Sequence, residues 1–161
     1  MAQLDAFSAL LDYPMYVVTA ETGGERAGCL VGFASQCSIR PPRFAVWLST
    51  ANRTFRVARG ATHLAVHLLH REQGEVARLF GGETGDEIDK FERITWRPGP
   101  GGAPVLPGTC AWFVGRVHSR IDGGDHVAFL LDPVEASPPA PGRPPLVMFS
   151  DVAGLSPGHP A

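Results

Sequence analysis

Two runs in the second half of the chain, Cys110 to Ile121 and His126 to Ala136, are rich in apolar and β-branched residues and are separated only by Asp122-Gly123-Gly124-Asp125. A link that short, made of the residues tight turns favour, folds the chain straight back, so the two runs must pair as one long antiparallel hairpin. The same signal occurs earlier, where Tyr13 to Ala20 is followed by the turn Thr22-Gly23-Gly24 and then by Arg26 to Phe33. Pro41-Pro42 breaks the chain ahead of the apolar run Phe44 to Leu48, and His63 to Leu69 carries Leu64, Val66 and Leu68 on one face. Leu146 to Ser150 reads as a last strand. Six or seven strands joined mostly as neighbouring hairpins predict a mainly β chain, an antiparallel barrel with short helices rather than a parallel doubly wound sheet.

Short helices are expected in the connections. Residues 1–12 offer Leu4, Phe7, Ala9, Leu10 and Leu11 for one face. Asn52 to Gly60 has an N-capping residue at its start and a glycine stop. Glu72 to Phe80 ends at Gly81-Gly82, and Asp86 to Ile94 is a weaker helical stretch. Pro98 to Pro104 reads as a Gly/Pro loop and 137–145 as an extended Pro-rich segment. Residues 1–150 are expected to form one domain and 151–161 a tail.

Composition narrows the function classes. Net charge is −2 and charged residues, 19% of the chain, are spread along it, so no basic block points to nucleic acid. The longest apolar stretches are far too short to span a bilayer. Met1 to Leu11 has no basic residue ahead of an apolar run, so no secretory leader is expected. The three cysteines, Cys29, Cys37 and Cys110, include no C-x-x-C pair, which argues against a disulfide scaffold or structural zinc and for a reducing cytoplasm. His63 and His67 sit four apart on a strand, a poor chelating spacing, and no metal site is expected. No G-x-G-x-x-G, P-loop or G-x-S-x-G motif is present.

Three places carry polar chemistry. Gly28 to Ser38 is strand-like yet rich in small and hydroxyl residues, either because a planar heterocycle approaches its backbone or because glycine relieves crowding in a twisted strand. Ser49-Thr50-Ala51-Asn52-Arg53-Thr54 leaves a strand for a helix. Its hydroxyls, amide and cation beside unpaired helix amides suit a phosphate, while capping alone is the simpler alternative. Gly124-Asp125-His126 puts a histidine at a strand start, where Asp125 either fixes its tautomer or only shapes the turn.

The order of these features resembles the flavin reductase-like family of FMN-binding split barrels, antiparallel and of Greek-key type. The resemblance runs from Val17-Val18-Thr19-Ala20 through Gly28, Ser35-Gln36-Cys37-Ser38, Pro41-Pro42, the Ser49 to Thr54 segment, His63 to Leu69 and Leu79-Phe80-Gly81-Gly82. It continues through Trp96, Gly102-Ala103-Pro104-Val105-Leu106 and Ala111-Trp112 to Gly124-Asp125-His126.

The resemblance implies that the segment Gly28 to Ser38, with Cys29, Leu30, Val31, Gly32 and Cys37 in it, contacts the isoalloxazine ring through the backbone, with Gln36 and Ser38 nearest the ribityl chain or phosphate. It implies that Ser49, Thr50, Asn52, Arg53 and Thr54 hold the phosphate of FMN (or FAD), that Phe80 and Gly82 border the flavin, and that His126 lies near the nicotinamide of NADH or NADPH. It further implies a homodimer and a monooxygenase partner that takes the reduced flavin.

Many members carry Thr, then Asn-Ser-Phe, where this chain has Leu30 and Gly32-Phe33-Ala34. The alternatives are a non-catalytic flavin-, deazaflavin- or haem-binding barrel, an oxidase of the pyridoxamine-phosphate type drawing on Arg116 and Arg120, and an interaction domain without a ligand.

Overall fold

The structure is a computed structural model that describes residues 2–82 and 88–154. The first hairpin forms as its turn chemistry dictates. Gly23 and Gly24 have φ of 58° and 84°, the pair of positive values a two-residue turn of this hand needs. They join β1 (Tyr16–Thr22) to β2 (Glu25–Val31), with Thr22 opposite Glu25. Next come β3 (Ala34–Ile39), β4 (Pro42–Ser49), the short helix α2 (Arg53–Ala58), β5 (His63–Leu68) and helix α3 (Gly74–Gly82). A single 3-10 turn at Lys90–Glu92 leads to a minor ribbon of β6 (Arg97–Pro98) with β7 (Pro104–Val105). The long hairpin of β8 (Ala111–Asp122) and β9 (His126–Ala136) follows.

Seven strands make one antiparallel sheet in the order β2-β1-β5-β8-β9-β4-β3. Strands β4, β9, β8 and β5 lie in the order of a Greek key. The two edge strands, β2 and β3, are consecutive in the chain and joined only by Gly32-Phe33. From Val31 to Ala34 the chain spans at most about 11 Å, whereas seven strands laid flat would set these edges about 29 Å apart. The sheet must therefore curl until its edges nearly meet. No ladder joins β2 to β3, so the expected barrel is split along this seam rather than closed.

Strict alternation along β1 divides the core. Val18 and Ala20 point into the barrel with Val46, Leu48, Leu64, Phe129 and Leu131. Val17 points out, into a second cluster with Leu69, Phe80, Phe91, Leu106 and Val147 that seats α3. Gly28 of β2 is where α3 comes closest. A Cβ there would stand 2.7 Å from Phe80 Cε1 and 3.2 Å from Thr19 Cγ2, and the Phe80 ring is itself fully packed. Gly28→Val is accordingly expected to cost about 2–3 kcal/mol through overpacking, a fall in Tm of roughly 5–10 °C on a thermal melt. An unchanged Tm would mean that α3 yields.

Several expectations are corrected. Residues 1–12 give only the single turn α1 (Asp5–Ser8), and Leu4 and Leu10 stay 65% and 86% exposed, because nothing described packs on them. The run Gly28 to Ser38 is two strands, since the chain crosses the seam at Gly32-Phe33. Pro42 does not precede the next strand but starts it, opposite Ile39 on the edge strand β3. Gly81-Gly82 belong to the last turn of α3. Of Asp86 to Ile94, residues 86 and 87 lie outside the described part, and the rest holds only the 3-10 turn. Leu146 to Ser150 makes single bridges, His70 with Leu146 and Pro14 with Met148, before the turn α4 (Phe149–Val152). Most of the expected tail, 155–161, lies outside the described residues.

Candidate functional site

The seam concentrates the site. Antiparallel pairing sets Ser49, the last residue of β4, opposite His126, the first of β9. Thr50 then binds the Asp125 carbonyl through its backbone N–H (2.9 Å) and its hydroxyl (3.2 Å), which fixes the β8–β9 turn against the exit of β4. On the other side of the seam the backbone from Cys29 to Phe33 leaves β2, and the Trp47 N–H donates to the Phe33 carbonyl (2.9 Å). Between the two sides lies a groove of about 260 Å³. Its walls are Cys29 to Phe33, Trp47, Ser49, Asn52 and His126, with Tyr13, Met15 and Phe149 at one end.

Aromatic groups dominate this groove. Tyr13 stacks on Phe149 with ring centroids 5.0 Å apart, and the half-exposed Phe33 lies 5.2 Å from the His126 ring. His126 Nδ1 is 2.7 Å from the Asp125 carboxylate, so in the neutral ring Nδ1 carries the proton and Nε2 is left as acceptor. A Cβ on Gly32 would meet the Tyr13 ring at 2.7 Å. Gly32 therefore leaves the space in which Tyr13 packs. Cys29 is buried beneath the groove, hydrogen-bonded with Thr54 and Asn52. Burial pushes its thiol up and keeps it protonated, so it is a wall and not a nucleophile.

A second trough of about 250 Å³ lies beside the first, sharing Asn52 as a wall, and runs along Gly28 of β2. It is lined by Arg26, Asn52, Arg53, Thr54, Asp89 and Lys90, among others. Lys90 is buried, its Nζ donating to the carbonyls of Gly28 and Phe80 at 3.0 Å each. Arg53 donates to the Arg26 carbonyl (2.8 Å) and pairs with Glu25 (3.4 Å). Arg26 lies over the Trp96 ring, its Cζ 4.5 Å from the ring centroid, and its Nε is buried with no partner.

The start of α2 differs from the expectation of unpaired amides. Asn52 Oδ1 caps the Thr54 N–H (3.0 Å), Ser49 Oγ accepts from Ala51 N–H (3.3 Å), and the Ser49 carbonyl accepts from Asn52 N–H (3.0 Å). These three amides at the strand-to-helix exit are therefore already engaged.

Of the residues singled out in the sequence, Cys29, Leu30, Val31, Gly32, Ser49, Asn52 and His126 meet in the first groove, and Asn52, Arg53 and Thr54 in the trough. Thr50 is turned to Asp125. Gln36, Cys37 and Ser38 lie on β3 at its bulge and line neither cavity. Gln36 instead donates to the Ser38 carbonyl. Phe80 is packed under Gly28 rather than beside the groove, and Gly82 ends α3 away from both. Sequence reasoning missed Tyr13, Phe33, Trp47, Phe149, Arg26 and Lys90. Their types are common in cores and on surfaces, and only the curl of the sheet brings them together. Among the described residues no group of three His, Cys, Asp or Glu side chains could hold a metal, and no helix is long and apolar enough to cross a membrane.

Comparison with known proteins adds to this geometry. Residues 8–154 match the family model described as flavin reductase like domain. The chain is 31% identical over 133 residues to the reductase subunit HsaB of a flavin-dependent monooxygenase from Mycobacterium tuberculosis, covering 79% of this chain and 70% of that one. It is 30% identical over 130 residues to the 4-hydroxyphenylacetate 3-monooxygenase reductase component of Salmonella typhimurium, covering 79% and 75%. It spans less of other relatives, 40% of a flavin reductase from Rhizobium meliloti. Among solved structures, the NADH:FAD oxidoreductase SgcE6 of Streptomyces globisporus superposes with a TM-score of 0.80 at 24% identity, over 91% of this chain and 86% of that one. A flavin reductase domain protein from an Arthrobacter species gives 0.79 at 19% identity, over 97% and 94%. At these identities the two structures speak for the fold.

Proposed function

The chain belongs to the flavin reductase like domain family, and from that membership we propose that it is an NAD(P)H-dependent flavin reductase whose flavin lies across the seam of the split barrel. The observation that carries this reading is the adjacency of an aromatic groove and a basic trough, with one residue, Asn52, lining both. A flavin is built the same way, with a planar ring at one end and a phosphate at the other. The orphaned Arg26 Nε and the guanidinium of Arg53 supply what the anionic end needs.

A flavin bound there would supply the redox chemistry as the acceptor of a hydride from NAD(P)H. The chain's own residues do the holding. The backbone from Cys29 to Phe33 gives the ring an edge of peptide groups. Trp47, Tyr13 and Phe149 exclude water from its face. His126, fixed by Asp125, and the exposed ring of Phe33 form the rim against which a nicotinamide can stack. His126 positions; nothing in its surroundings asks it to move a proton.

FMN is the smallest flavin that reaches both parts of the site, its ring in the groove and its phosphate at the trough. Delivery of reduced flavin to a monooxygenase is supported by relatives that are reductase subunits or components of such enzymes. A homodimer is supported by Leu4, Phe7 and Leu10, 64 to 86% exposed on one copy, and a reducing cytoplasm by three unpaired cysteines. The test is oxidation of NADH and NADPH by the purified protein with added FMN or FAD. Turnover well above the protein-free rate with at least one pairing is expected. Rates at background with every pairing would remove the reductase reading.

A further inference from the structure

An apolar hollow of about 400 Å³ lies at the end of the barrel where β1 and β8 start and β5 and β9 finish, and it shares no wall residue with the groove or the trough. Antiparallel pairing gathers these strand ends, with Tyr16 opposite Leu68 and Phe113 opposite Ala136. The rings in its wall meet edge to face, Tyr16 with Phe44 at 5.6 Å between centroids and Phe44 with Phe113 at 5.5 Å, the packing that aromatic rings prefer. Trp112 is held in place by Arg97, which lies 5.2 Å from its ring centroid and outside the hollow. The remaining wall is a strap that begins at Ser137. Its N–H donates to the Trp112 carbonyl (2.9 Å) and its hydroxyl accepts from the Trp112 N–H (3.0 Å). Pro138-Pro139 follow, whose fixed φ leaves little backbone freedom to lose when the hollow is filled.

Charge, hydrogen bonding and size together say what fits. Among the described residues no Asp, Glu, Lys, Arg or His side chain lines the hollow, so an ionised ligand would leave water with nothing to meet its charge. Tyr16 is half-buried there, and burial pushes its phenol up with no hydrogen bond acting on it. That hydroxyl is left to pair with whatever enters. A dozen described residues wall the hollow, whereas a stable protein–protein interface uses about 20–30 on each side.

We infer that this hollow is a second ligand site, taking a small uncharged aromatic molecule that carries one hydrogen-bonding group, such as a phenol. The ring packs among Phe44, Phe113 and Trp112, and the polar group pairs with the Tyr16 hydroxyl. The site is separate from the flavin groove and does not depend on the flavin reading.

The test is isothermal titration calorimetry of the whole protein with p-cresol, toluene and 4-hydroxybenzoate, repeated with FMN present and on the variants Tyr16→Phe and Ala136→Trp. p-Cresol is expected to bind with a Kd of about 1 mM or tighter, 4-hydroxybenzoate at least about tenfold more weakly. FMN is expected not to displace p-cresol. Tyr16→Phe should weaken p-cresol about fivefold and leave toluene unchanged, one neutral hydrogen bond's worth. Ala136→Trp, which fills the hollow from an exposed position, should abolish the binding of both. Absence of p-cresol binding, equal binding of the carboxylate, displacement by FMN, or p-cresol binding untouched by Ala136→Trp would each overturn the site while leaving the flavin groove standing. Absence of p-cresol binding together with a dimer that Ala136→Trp dissociates would give the hollow to a second copy of the chain and overturn it equally. If Ala136→Trp does not fold, the contrast between p-cresol and toluene on Tyr16→Phe decides.

Discussion

His67→Leu is expected to lower stability by about 3 kcal/mol, because two buried backbone groups lose their partners at about 1–3 kcal/mol each. His67 is fully buried on β5. Its Nδ1 donates to the Val17 carbonyl (2.9 Å) and its Nε2 accepts from the Leu106 N–H (3.0 Å). The imidazole thereby pins the loop after β7 to β1, across the second core. Leucine fills the volume but satisfies neither group. The fall should appear as a drop in Tm of roughly 6–12 °C.

The same residue gives the protein an acid-sensitive step. Burial lowers the His67 pKa from 6.5 to about 4, against the opposing effect of its bond to Val17. The unfolded chain therefore binds a proton that the native state refuses between these values. The stability His67 contributes is complete above pH 6.5, declines as pH falls and is gone below about 4, a loss of about 3 kcal/mol. The carboxyls of Asp132 and Asp151 are also held low, by the Arg43 hydrogen bond and by the Met148 N–H respectively. Being lowered from 3.8, they lose their stabilisation only at lower pH, outside the histidine's window. Denaturant unfolding at several pH values should show a slope between pH 6.5 and 4 that His67→Leu flattens. A slope of equal size in the variant would place the acid sensitivity elsewhere.

The second large effect is on binding. The double variant Asn52→Asp, Arg53→Glu should weaken FMN at least about a hundredfold. Two unit charges about 6 Å apart at an effective dielectric near 20 interact by about 3 kcal/mol, and every 1.4 kcal/mol is about tenfold. The variant removes a cation from the trough and adds two anions beside a phosphate that carries nearly two charges. The fold should survive it. Aspartate caps α2 as well as asparagine does, and the contacts Arg53 gives up include a hydrogen bond to the Arg26 carbonyl and a solvent-facing ion pair with Glu25. A Tm within roughly 4 °C of the parent with FMN affinity retained would show that the phosphate sits elsewhere.

How far these features could be read from the sequence depended on their range. Turns are local, so Gly23-Gly24 and Asp122 to Asp125 gave both hairpins, and Asn52 gave the start of α2. The seam is not local. Nothing in Gly28 to Ser38 announces that the chain crosses from one sheet edge to the other at Gly32-Phe33, because that crossing depends on the pairing of β4 with β9 and of β5 with β8. For the same reason the residues near the crossing were legible only in part. Cys29 to Gly32 lie in the groove, whereas Gln36 to Ser38, three pleats on, have left it. Arg26 and Lys90 look like solvated charges until Trp96 and the carbonyls of Gly28 and Phe80 are found around them.

A crystal structure of the protein grown with excess flavin tests the central claim most directly. Ring density lying between the Cys29–Phe33 backbone and the Trp47 and His126 side chains, with phosphate density beside Asn52 and Arg53, is the result this account predicts. Flavin density settled instead in the apolar hollow among Tyr16, Phe44 and Trp112, with the seam closed by its own side chains, would contradict it.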